Sequence, residues 1–293
     1  MQSAAILTGL AALGTTSRCL AQWPAVTGVL RRLRPMACAA LCLGSRPAYA
    51  QAPLAGGLPG SWLEVNGFSQ RVTNQYGDWS GAYARVVSPR SQDTYYGDLL
   101  VLRAFRSQGT QLGVAHRHDW NSHLFHVVGV NVGDGTPILP RFRSDAQVGA
   151  RLGRRKQWQL TTGGSYVKAP LDGLYDVAAT GAIAWFAPRA VLFEVSGRYN
   201  ISTPGDIRSH RIQGVSIFTP SARRSFSVRV GGGSEGWQII SASTSFRRFH
   251  STEMALAWRE KVTPAWALSL QGERYENPFF SRTGVTLGVA RYW

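Results

Sequence analysis

The stretch LYDVAATGAIAWFAPRAVLFEVSGRYN (residues 174–200) decides the fold class of this chain. Apolar side chains alternate with polar or small ones on both sides of an interruption at Pro188. A period of two is typical of β-strands, because successive side chains point to opposite faces. We therefore predict two strands, 174–186 and 189–200, joined by a short turn. Their apolar face would carry Tyr175, Val177, Ala179, Gly181, Ile183, Trp185, Val191, Phe193, Val195, Gly197 and Tyr199.

The same alternation recurs along the chain and predicts an all-β fold, a closed antiparallel transmembrane β-barrel. In lipid, every backbone N–H and C=O must be paired within the protein, so a membrane-spanning sheet has to close. Such barrels have an even number of strands. We predict about fourteen, or about sixteen if 233–250 forms a membrane hairpin rather than an extracellular excursion. The predicted strands are 62–72, 79–88, 94–106, 109–119, 122–132, 143–153, 157–167, 174–186, 189–200, 209–219, 223–232, 252–261, 265–275 and 284–293.

Two features favour a membrane barrel over a soluble β-sandwich, which alternation alone also allows. Aromatic side chains stand near strand ends, as expected at the headgroup level, and charged side chains stand in mid-strand, where a barrel would turn them into its lumen. No apolar run of about 20 residues follows the N-terminal segment, so helical membrane spans are excluded. The aromatic residues are Trp79, Trp158, Tyr166, Tyr175, Trp185, Tyr199, Trp258 and Trp266. The charged residues are Asp145, Arg151, Glu194, Arg198, Arg229 and Arg259.

Residues 1–50 are expected to be a leader that is cleaved after Ala50. The segment 31–50 has a basic start, a short apolar run and a small-x-small end, which is the pattern of a secretory signal peptide. The basic part is long, so translation could start at Val29 rather than at Met1. We predict that residues 51–61 are a periplasmic lead-in and that 62–293 form the barrel in the outer membrane of a Gram-negative bacterium.

The C-terminal stretch VTLGVARYW (285–293) predicts a partner. Its apolar side chains Val285, Leu287, Val289 and Trp293 fall on one face. A terminal aromatic residue on an alternating last strand is the insertion signal for barrel-assembly machinery, so we expect that machinery to bind this strand. Arg291 departs from the pattern, because an apolar residue is expected there. If the first strand runs outward, the short links become periplasmic and the longer ones extracellular, as expected for such barrels.

Charge and cysteine usage fit an exported chain. The formal net charge is +16, and nearly all the basic residues are arginines. This excess indicates either a solvated basic surface or a surface that binds something anionic. All three cysteines, Cys19, Cys38 and Cys42, lie in the predicted leader, so the mature chain would have neither a disulfide nor a thiolate metal site. Nucleic acid is not expected as a partner, because the leader directs the chain out of the cytoplasm.

The candidate ligand-binding residues are charged side chains of the predicted lumen and loops. Arg141, Arg143 and Asp145 form the densest cluster, at a junction between a loop and a strand. They are either an ion-pair latch that holds the loop over the barrel mouth, or a docking point for an anionic glycan or a lipopolysaccharide phosphate, which guanidinium groups bind well. The full set is Arg141, Arg143, Asp145, Arg151, Arg198 and Arg229.

Histidines are the main candidates for chemistry. His116, His118, His123 and His126 fall in one predicted hairpin. They could form a metal or catalytic site, because same-face neighbours on adjacent strands come close, or they could be interfacial residues at the membrane boundary. No spacing of Ser, His and an acid typical of hydrolases is present. We therefore predict no catalytic residue, no metal site and no cofactor.

Several segments resemble the YaiO-type outer-membrane β-barrel family. They are NQYGDWSGAYARV (74–86) and DGTPILPRFRSDAQVGARL (134–152), and the rhythm from TTGGSYVK (161–168) through ALSLQGERY (267–275) to the terminal aromatic is similar too. The resemblance covers nearly all of the predicted mature chain. It implies a barrel in the cell outer membrane. Related barrels occur beside, or fused to, components for envelope polysaccharide synthesis and export, so a periplasmic export partner is implied.

The sequence thus supports two hypotheses about function. The first is a pore or envelope component, surrounded by outer-membrane lipid, that serves polysaccharide export or surface interaction and favours anionic saccharides. The small inward residues Gly163, Ser165, Ala178 and Ala182 would leave room for a lumen. The alternative is an outer-membrane enzyme that acts on lipid or glycan.

Overall fold

A computed structural model describes residues 60–74, 76–170, 173–188, 190–235 and 248–293, and within them the chain forms fourteen strands. The predicted leader, its cleavage point and nearly all of the lead-in lie outside the described residues. The strands are β1 Trp62–Val72, β2 Trp79–Arg90, β3 Asp93–Ala104, β4 Ser107–Asp119, β5 Leu124–Gly133, β6 Phe142–Leu152, β7 Trp158–Lys168, β8 Tyr175–Ala187, β9 Val191–Thr203, β10 Ile207–Ser221, β11 Arg224–Glu235, β12 Phe249–Lys261, β13 Trp266–Glu276 and β14 Ser281–Tyr292.

The strands pair in sequence order and close into a ring, which confirms the predicted fold class. Every residue from Trp62 to Val72 on β1 has a partner on β14. The alternative of sixteen strands is wrong, because β11 pairs directly with β12 up to Glu235 and Phe249 and leaves no place for a further hairpin between them. Among the described residues, no helix is long and apolar enough to cross a bilayer.

The two ends of the barrel differ in their links. The start of the first strand and the end of the last one meet at one end, where the Trp293 N–H donates a hydrogen bond to the Ser61 carbonyl (3.0 Å). We call this the terminal end, and its links are short turns such as 91–92, 120–123 and 222–223. The opposite end, which we call the loop end, holds the longer links, including 73–78 and 134–141. This sorting agrees with the expected orientation, with the terminal end in the periplasm.

The alternation of the sequence becomes the two faces of the barrel wall. Side chains of the predicted apolar face stand on the outside, where Val195 is 54 % exposed and Leu287 is 62 % exposed. Such exposure is unfavourable in water for so many large apolar side chains and is what a lipid-facing wall requires. The predicted small residues Gly163, Ser165, Ala178 and Ala182 stand on the opposite, inner face.

Outward aromatic side chains form bands near both ends of the wall. At the terminal end, the ring of Trp185 stacks between those of Trp158 (5.8 Å) and Phe193 (5.9 Å). Towards the loop end, the rings of Tyr166 and Tyr175 are 6.0 Å apart. These bands match the girdles that amphipathic rings form at membrane interfaces.

Trp79 is an exception, and its predicted interfacial position is wrong. Its side chain is 1 % exposed and lies inside the barrel, where its ring packs against Phe105 (4.8 Å) and Phe280 (5.9 Å). The apolar interior at the loop end accounts for the difference. An aromatic residue at a strand end is stable either at the membrane interface or in such an interior.

The last strand has the predicted outward apolar face, and Trp293 is 60 % exposed. Arg291 also points outward, and its guanidinium lies 5.7 Å from the ring centre of Trp266 on β13. A cation over an indole at the edge of the membrane is favourable. This contact explains how the strand tolerates arginine at an otherwise apolar position.

Candidate functional site in the lumen

The lumen is lined by charged side chains from nearly all strands, and arginines and acids are close to balance there. This distribution follows from alternation, because every second residue of a strand faces the lumen and these residues are mostly polar. The inward arginines of the described strands are Arg85, Arg117, Arg143, Arg151, Arg198, Arg211, Arg229, Arg259 and Arg282. The inward acids are Glu64, Asp98, Asp119, Asp145, Asp176, Glu194, Glu235, Glu253 and Glu273.

The predicted cluster of Arg141, Arg143 and Asp145 is only partly assembled. Arg143 and Asp145 face the lumen two residues apart on β6 and form a two-pronged ion pair, with Nε–Oδ2 at 2.7 Å and Nη2–Oδ1 at 2.8 Å. Arg141 lies in the preceding loop with its side chain exposed. Its backbone, rather than its side chain, joins β7, through an N–H that donates to the Lys168 carbonyl (2.9 Å).

Arg151 belongs to a second cluster, at the terminal end of the lumen. Its Nη2 lies 2.9 Å from Asp119 Oδ1, and Arg117 Nη2 lies 3.0 Å from the same oxygen. The ring of Phe125 is 4.1 Å from the Arg117 guanidinium and 5.2 Å from that of Arg151. Gly149 makes room for this ring, because a Cβ there would collide with it. Two guanidiniums thus share one carboxylate and one aromatic face.

Arg198 stands in the middle of β9 with a neutral partner. Its Nη2 donates a hydrogen bond to Asn200 Oδ1 (3.3 Å), and Asn200 in turn donates to Ser202 Oγ (2.9 Å). Directly opposite Arg198 are Thr180 on β8 and Arg211 on β10. No carboxylate of the described residues forms an ion pair with Arg198.

Arg229 takes part in a network around Glu273. Its Nη2 lies 3.9 Å from Glu273 Oε2, and Arg282 Nη2 lies 3.7 Å from Glu273 Oε1. Gln271 Nε2 donates to Glu273 Oε2 (2.8 Å), and Gln70 donates to Oε1. One acid on β13 therefore connects β11, β14 and β1.

Several charged side chains of the lumen are not among the predicted site residues. Arg85 pairs with Asp98 (Nε–Oδ1, 2.6 Å), and Arg211 pairs with Glu235 and with Glu253 (Nη2–Oε2, 3.4 Å). Alternation would have placed each of these side chains on the inner face. The partners could not be foreseen, because they depend on how neighbouring strands are staggered.

Between these clusters, β7 and β8 form a wall of small inward side chains. Thr161, Gly163 and Ser165 face Ala182, Thr180 and Ala178 in matched register. Such side chains occupy little of the lumen next to this part of the wall. Arg198 on β9 borders it on one side and the Arg143–Asp145 pair on β6 on the other.

At the loop end, one side of the lumen holds a group of buried apolar side chains, which we call the mouth cluster. The loop 134–141 folds inward and contributes Ile138 and Leu139, both 0 % exposed. Gly109 on β4 accommodates them, since a Cβ there would lie 2.9 Å from Leu139 Cδ1 and 3.3 Å from Ile138 Cγ1. The cluster comprises Val72, Trp79, Leu102, Ala104, Phe105, Ile138, Leu139, Tyr275 and Phe280.

Asp134 fixes the base of the same loop. Its carboxylate accepts hydrogen bonds from the Thr110 N–H (2.7 Å), the Thr136 N–H (3.0 Å) and the Thr136 hydroxyl (2.7 Å). Burial alone would raise the pKa of Asp134, but the bonds from Thr136 and Thr110 outweigh it, and the pKa lies below its ordinary value. The loop is thus held by Asp134 and by apolar burial, whereas Arg143 and Asp145 pair with each other on β6.

The predicted histidine group does not reach the lumen. His116, His118 and His126 stand on the outer wall near the terminal end, and His123 lies in the adjacent turn. Asp93 joins them from β3, and among the described residues Asp93, His116 and His118 are a group that could hold a metal ion.

Comparison with known proteins identifies the family. Residues 62–238 match the family described as the YaiO membrane beta barrel domain. The chain belongs to the YaiO family. Membership confirms the resemblance of the sequence motifs, and together with the fold it locates this YaiO barrel in the outer membrane. A search of curated proteins finds no match for the sequence.

Two solved outer-membrane barrels match the fold of this YaiO protein at very low sequence identity. A bacterial polysaccharide outer membrane secretin is 11 % identical, with a TM-score of 0.50 over 80 % of this chain and 98 % of that one. The CymD monoaromatic hydrocarbon channel is 7 % identical, with a TM-score of 0.50 over 80 % and 88 %. An outer membrane channel from Pseudomonas putida F1 is 12 % identical, with a TM-score of 0.48 over 80 % and 96 %. These similarities concern the fold alone.

Proposed function

We propose that this outer-membrane barrel is a channel for anionic solutes of the saccharide class and that the loop 134–141 gates it. The solute would pass along the wall of small side chains on β7 and β8. A role beside polysaccharide export, with a periplasmic partner at the terminal end, belongs to the same proposal.

The observation that carries the proposal is that Arg198 has a neutral hydrogen-bond partner instead of a carboxylate. Most lumen arginines face a carboxylate, which cancels their charge, but Arg198 donates to the neutral amide of Asn200. Asp145 and Asp176 are near enough to interact with it electrostatically, yet neither forms an ion pair with it in the described part of the barrel. A guanidinium with donors to spare suits the planar carboxylate of an acidic sugar.

The surroundings of Arg198 support a saccharide rather than a simple ion. Thr180 lies opposite, and Asn200 and Ser202 continue the same inward face of β9. Hydroxyl and amide groups both donate and accept hydrogen bonds, as sugar hydroxyls do. The small side chains of β7 and β8 leave space for a ring next to them.

The mouth cluster supports gating. Ile138 and Leu139 are buried in the mouth cluster, so apolar contacts hold this loop inside the barrel. A segment held by a few buried side chains opens at a modest cost in free energy. Displacement of the loop would then connect the lumen with the outside.

Single-channel recording in planar bilayers tests the proposal. We expect an anion-selective current that a uronate oligosaccharide blocks transiently and a neutral oligosaccharide of equal length blocks less. Replacement of Arg198 by Ser should reduce both the selectivity and the block at least several-fold. Replacement of Arg208 by Ser is the matched control, because this arginine lies on the outer face of β10.

A second experiment tests whether the loop 134–141 gates the channel. Ile138→Ser should raise the open probability, because it removes a fully buried apolar side chain from the gate. The proposal is wrong if neither the wild type nor Ile138→Ser conducts, or if Arg198→Ser and Arg208→Ser have the same selectivity as the wild type.

The alternative of an outer-membrane enzyme has weaker support. Ser234 Oγ and His210 Nδ1 are 3.2 Å apart, which is a spacing used by nucleophilic hydroxyls. However, Ser234 is 1 % exposed, and its Oγ already accepts a hydrogen bond from the His210 backbone N–H (3.0 Å). A structural role explains both contacts. Loss of a lipid or glycan hydrolase activity in Ser234→Ala would favour the enzyme instead.

A further inference from the structure

Three neighbouring strands align an acid and two imidazoles in one row on the outer wall. Asp93 begins β3 and stands opposite His118 on β4, which stands opposite His126 on β5. His116 lies two residues before His118 and therefore shares its face. Directly opposite side chains on adjacent strands have Cβ atoms about 5 Å apart. The register thus gathers Asp93, His116, His118 and His126, which we call the histidine patch.

The atoms of this patch are already close together. Asp93 Oδ1 lies 2.7 Å from His116 Nε2 and 2.8 Å from His118 Nδ1. One ligand atom from each of the three side chains lies within 4.8 Å of the others. Metal–nitrogen and metal–oxygen bonds of about 2.0–2.2 Å separate tetrahedral ligands by roughly 3.4 Å, so only small side-chain shifts are needed to admit an ion.

His126 lies beside this group of three and is the candidate for a fourth ligand. Its ring lies 6.0 Å from that of His116 and 5.8 Å from that of His118. Its Nδ1 is buried and has no hydrogen-bond partner among the described residues. An ion pair with Asp93 needs one imidazole, and the patch provides three. Ion pairing alone does not explain the remaining imidazole nitrogens.

We propose that the histidine patch binds a divalent transition-metal ion of the zinc, nickel or copper class. Imidazole suits these ions, whereas magnesium and calcium prefer sites made of oxygen ligands. The site is independent of the lumen, because all four side chains point away from it. A bound ion would tie β3, β4 and β5 together on the outside of the wall.

The ion can reach the patch from water. The side chains of Asp93, His116 and His118 are each about one-third exposed. Trp120 packs on His126 (5.0 Å) and Tyr95 on His116 (5.1 Å), and such aromatic side chains mark the headgroup level of a membrane. The site therefore lies at the edge of the membrane at the terminal end, where the aqueous phase is in reach.

Calorimetric titration of the folded barrel tests this site. The protein is purified without a polyhistidine tag in detergent micelles and titrated with zinc or nickel chloride. We expect one ion per chain, no heat from calcium or magnesium, and at least a tenfold weaker affinity in His118→Ala, His118→Gln and Asp93→Asn. His250→Ala is the matched control, because His250 is an exposed outward histidine on β12 near the loop end.

Fluorescence gives an independent measurement. Copper or nickel in the patch should quench Trp120, and Trp120→Phe should lose most of this quenching while its calorimetric binding remains. Retention of the folded band in unheated gels identifies the variants that still form a barrel. The proposal is wrong if the wild type binds neither zinc nor nickel, or if a folded His118→Gln barrel binds as tightly as the wild type. Either result leaves the channel proposal unaffected.

Discussion

Arg259 on β12 and Glu64 on β1 form an ion pair, with Nη1–Oε2 at 3.2 Å, although β13 and β14 lie between these strands. The contact runs along the inside of the wall and bridges the seam where the first strand meets the last. Ser269 on β13 lies under it, and its hydroxyl is 3.5 Å from Glu64 Oε1. The lumen side chains therefore brace the closure of the ring.

Removal of one partner of this pair should destabilise the barrel. Glu64 is buried and Arg259 is partly buried, so Glu64→Gln leaves a guanidinium without its counter-charge, and we expect a loss of roughly 1–3 kcal/mol in the free energy of unfolding. Urea unfolding in lipid vesicles, followed by tryptophan fluorescence, measures it.

Glu260→Gln is the control for that change. Glu260 pairs with Arg224 on the outside of the barrel, where the arginine side chain is 51 % exposed, and such a pair contributes less than about 1 kcal/mol. A loss as large in Glu260→Gln as in Glu64→Gln would contradict the bracing role of the inner pair.

The fold followed from the sequence because one physical rule decides it: alternation sets the two faces, and lipid forces closure. Val195 and Leu287 are outward and Ala178 and Ser165 inward, as their positions in the pattern predict. Residue pairing is a different problem. Whether Arg143 meets Asp145 on its own strand or an acid on the next one depends on strand stagger and on side-chain rotamers, which a pattern of period two does not contain.

The same limit explains the errors at the loop end. Trp79 was expected at the membrane surface because it is aromatic and begins a strand, yet the inward loop 134–141 creates an apolar interior that buries it. Folding of a loop back into a barrel leaves no periodic signal. Gly109 is one residue in the sequence that indicates it. A residue without a side chain at an inward position of β4 permits another segment to approach.

Loss of the terminal aromatic side chain should slow insertion without weakening the folded barrel. Trp293 is 60 % exposed, and its backbone N–H rather than its ring binds Ser61. For Trp293→Ala we expect accumulation of unfolded chains in the periplasm of growing cells, together with a change of less than about 1 kcal/mol in unfolding free energy. An unaltered rate of insertion would contradict recognition of this strand by assembly machinery.

A side chain at position 149 should disturb the cluster around Phe125. In Gly149→Ala the new Cβ would occupy the site of the Phe125 ring, so the ring must move and lose its contacts with Arg117 and Arg151. We expect a loss of roughly 1–3 kcal/mol in unfolding free energy. Gly272→Ala is the control, because a Cβ at that position has open space around it.

Acid should loosen the loop 134–141, which packs into the mouth cluster. Because the folded-state pKa of Asp134 is lowered, the stabilisation given by its carboxylate is complete above about pH 4, the ordinary value for aspartate, and is lost as the pH falls through the lowered pKa. We expect the open probability to be higher at pH 3 than at pH 7. In Asp134→Asn it should already be raised at pH 7 and should change less with acid, and an equal response in both proteins would count against the role of this residue.

The ladder between β1 and β14 also limits how another protein can attach. Each described strand has a hydrogen-bonded neighbour on both sides, so the wall offers no unpaired backbone edge to which a partner could add a strand of its own. Among the described residues, what the terminal end offers a periplasmic partner is the side chains of its turns, such as 120–123 and 222–223. The sequences of these turns can be exchanged without changing the wall, so this part of any specific association can vary independently of the barrel.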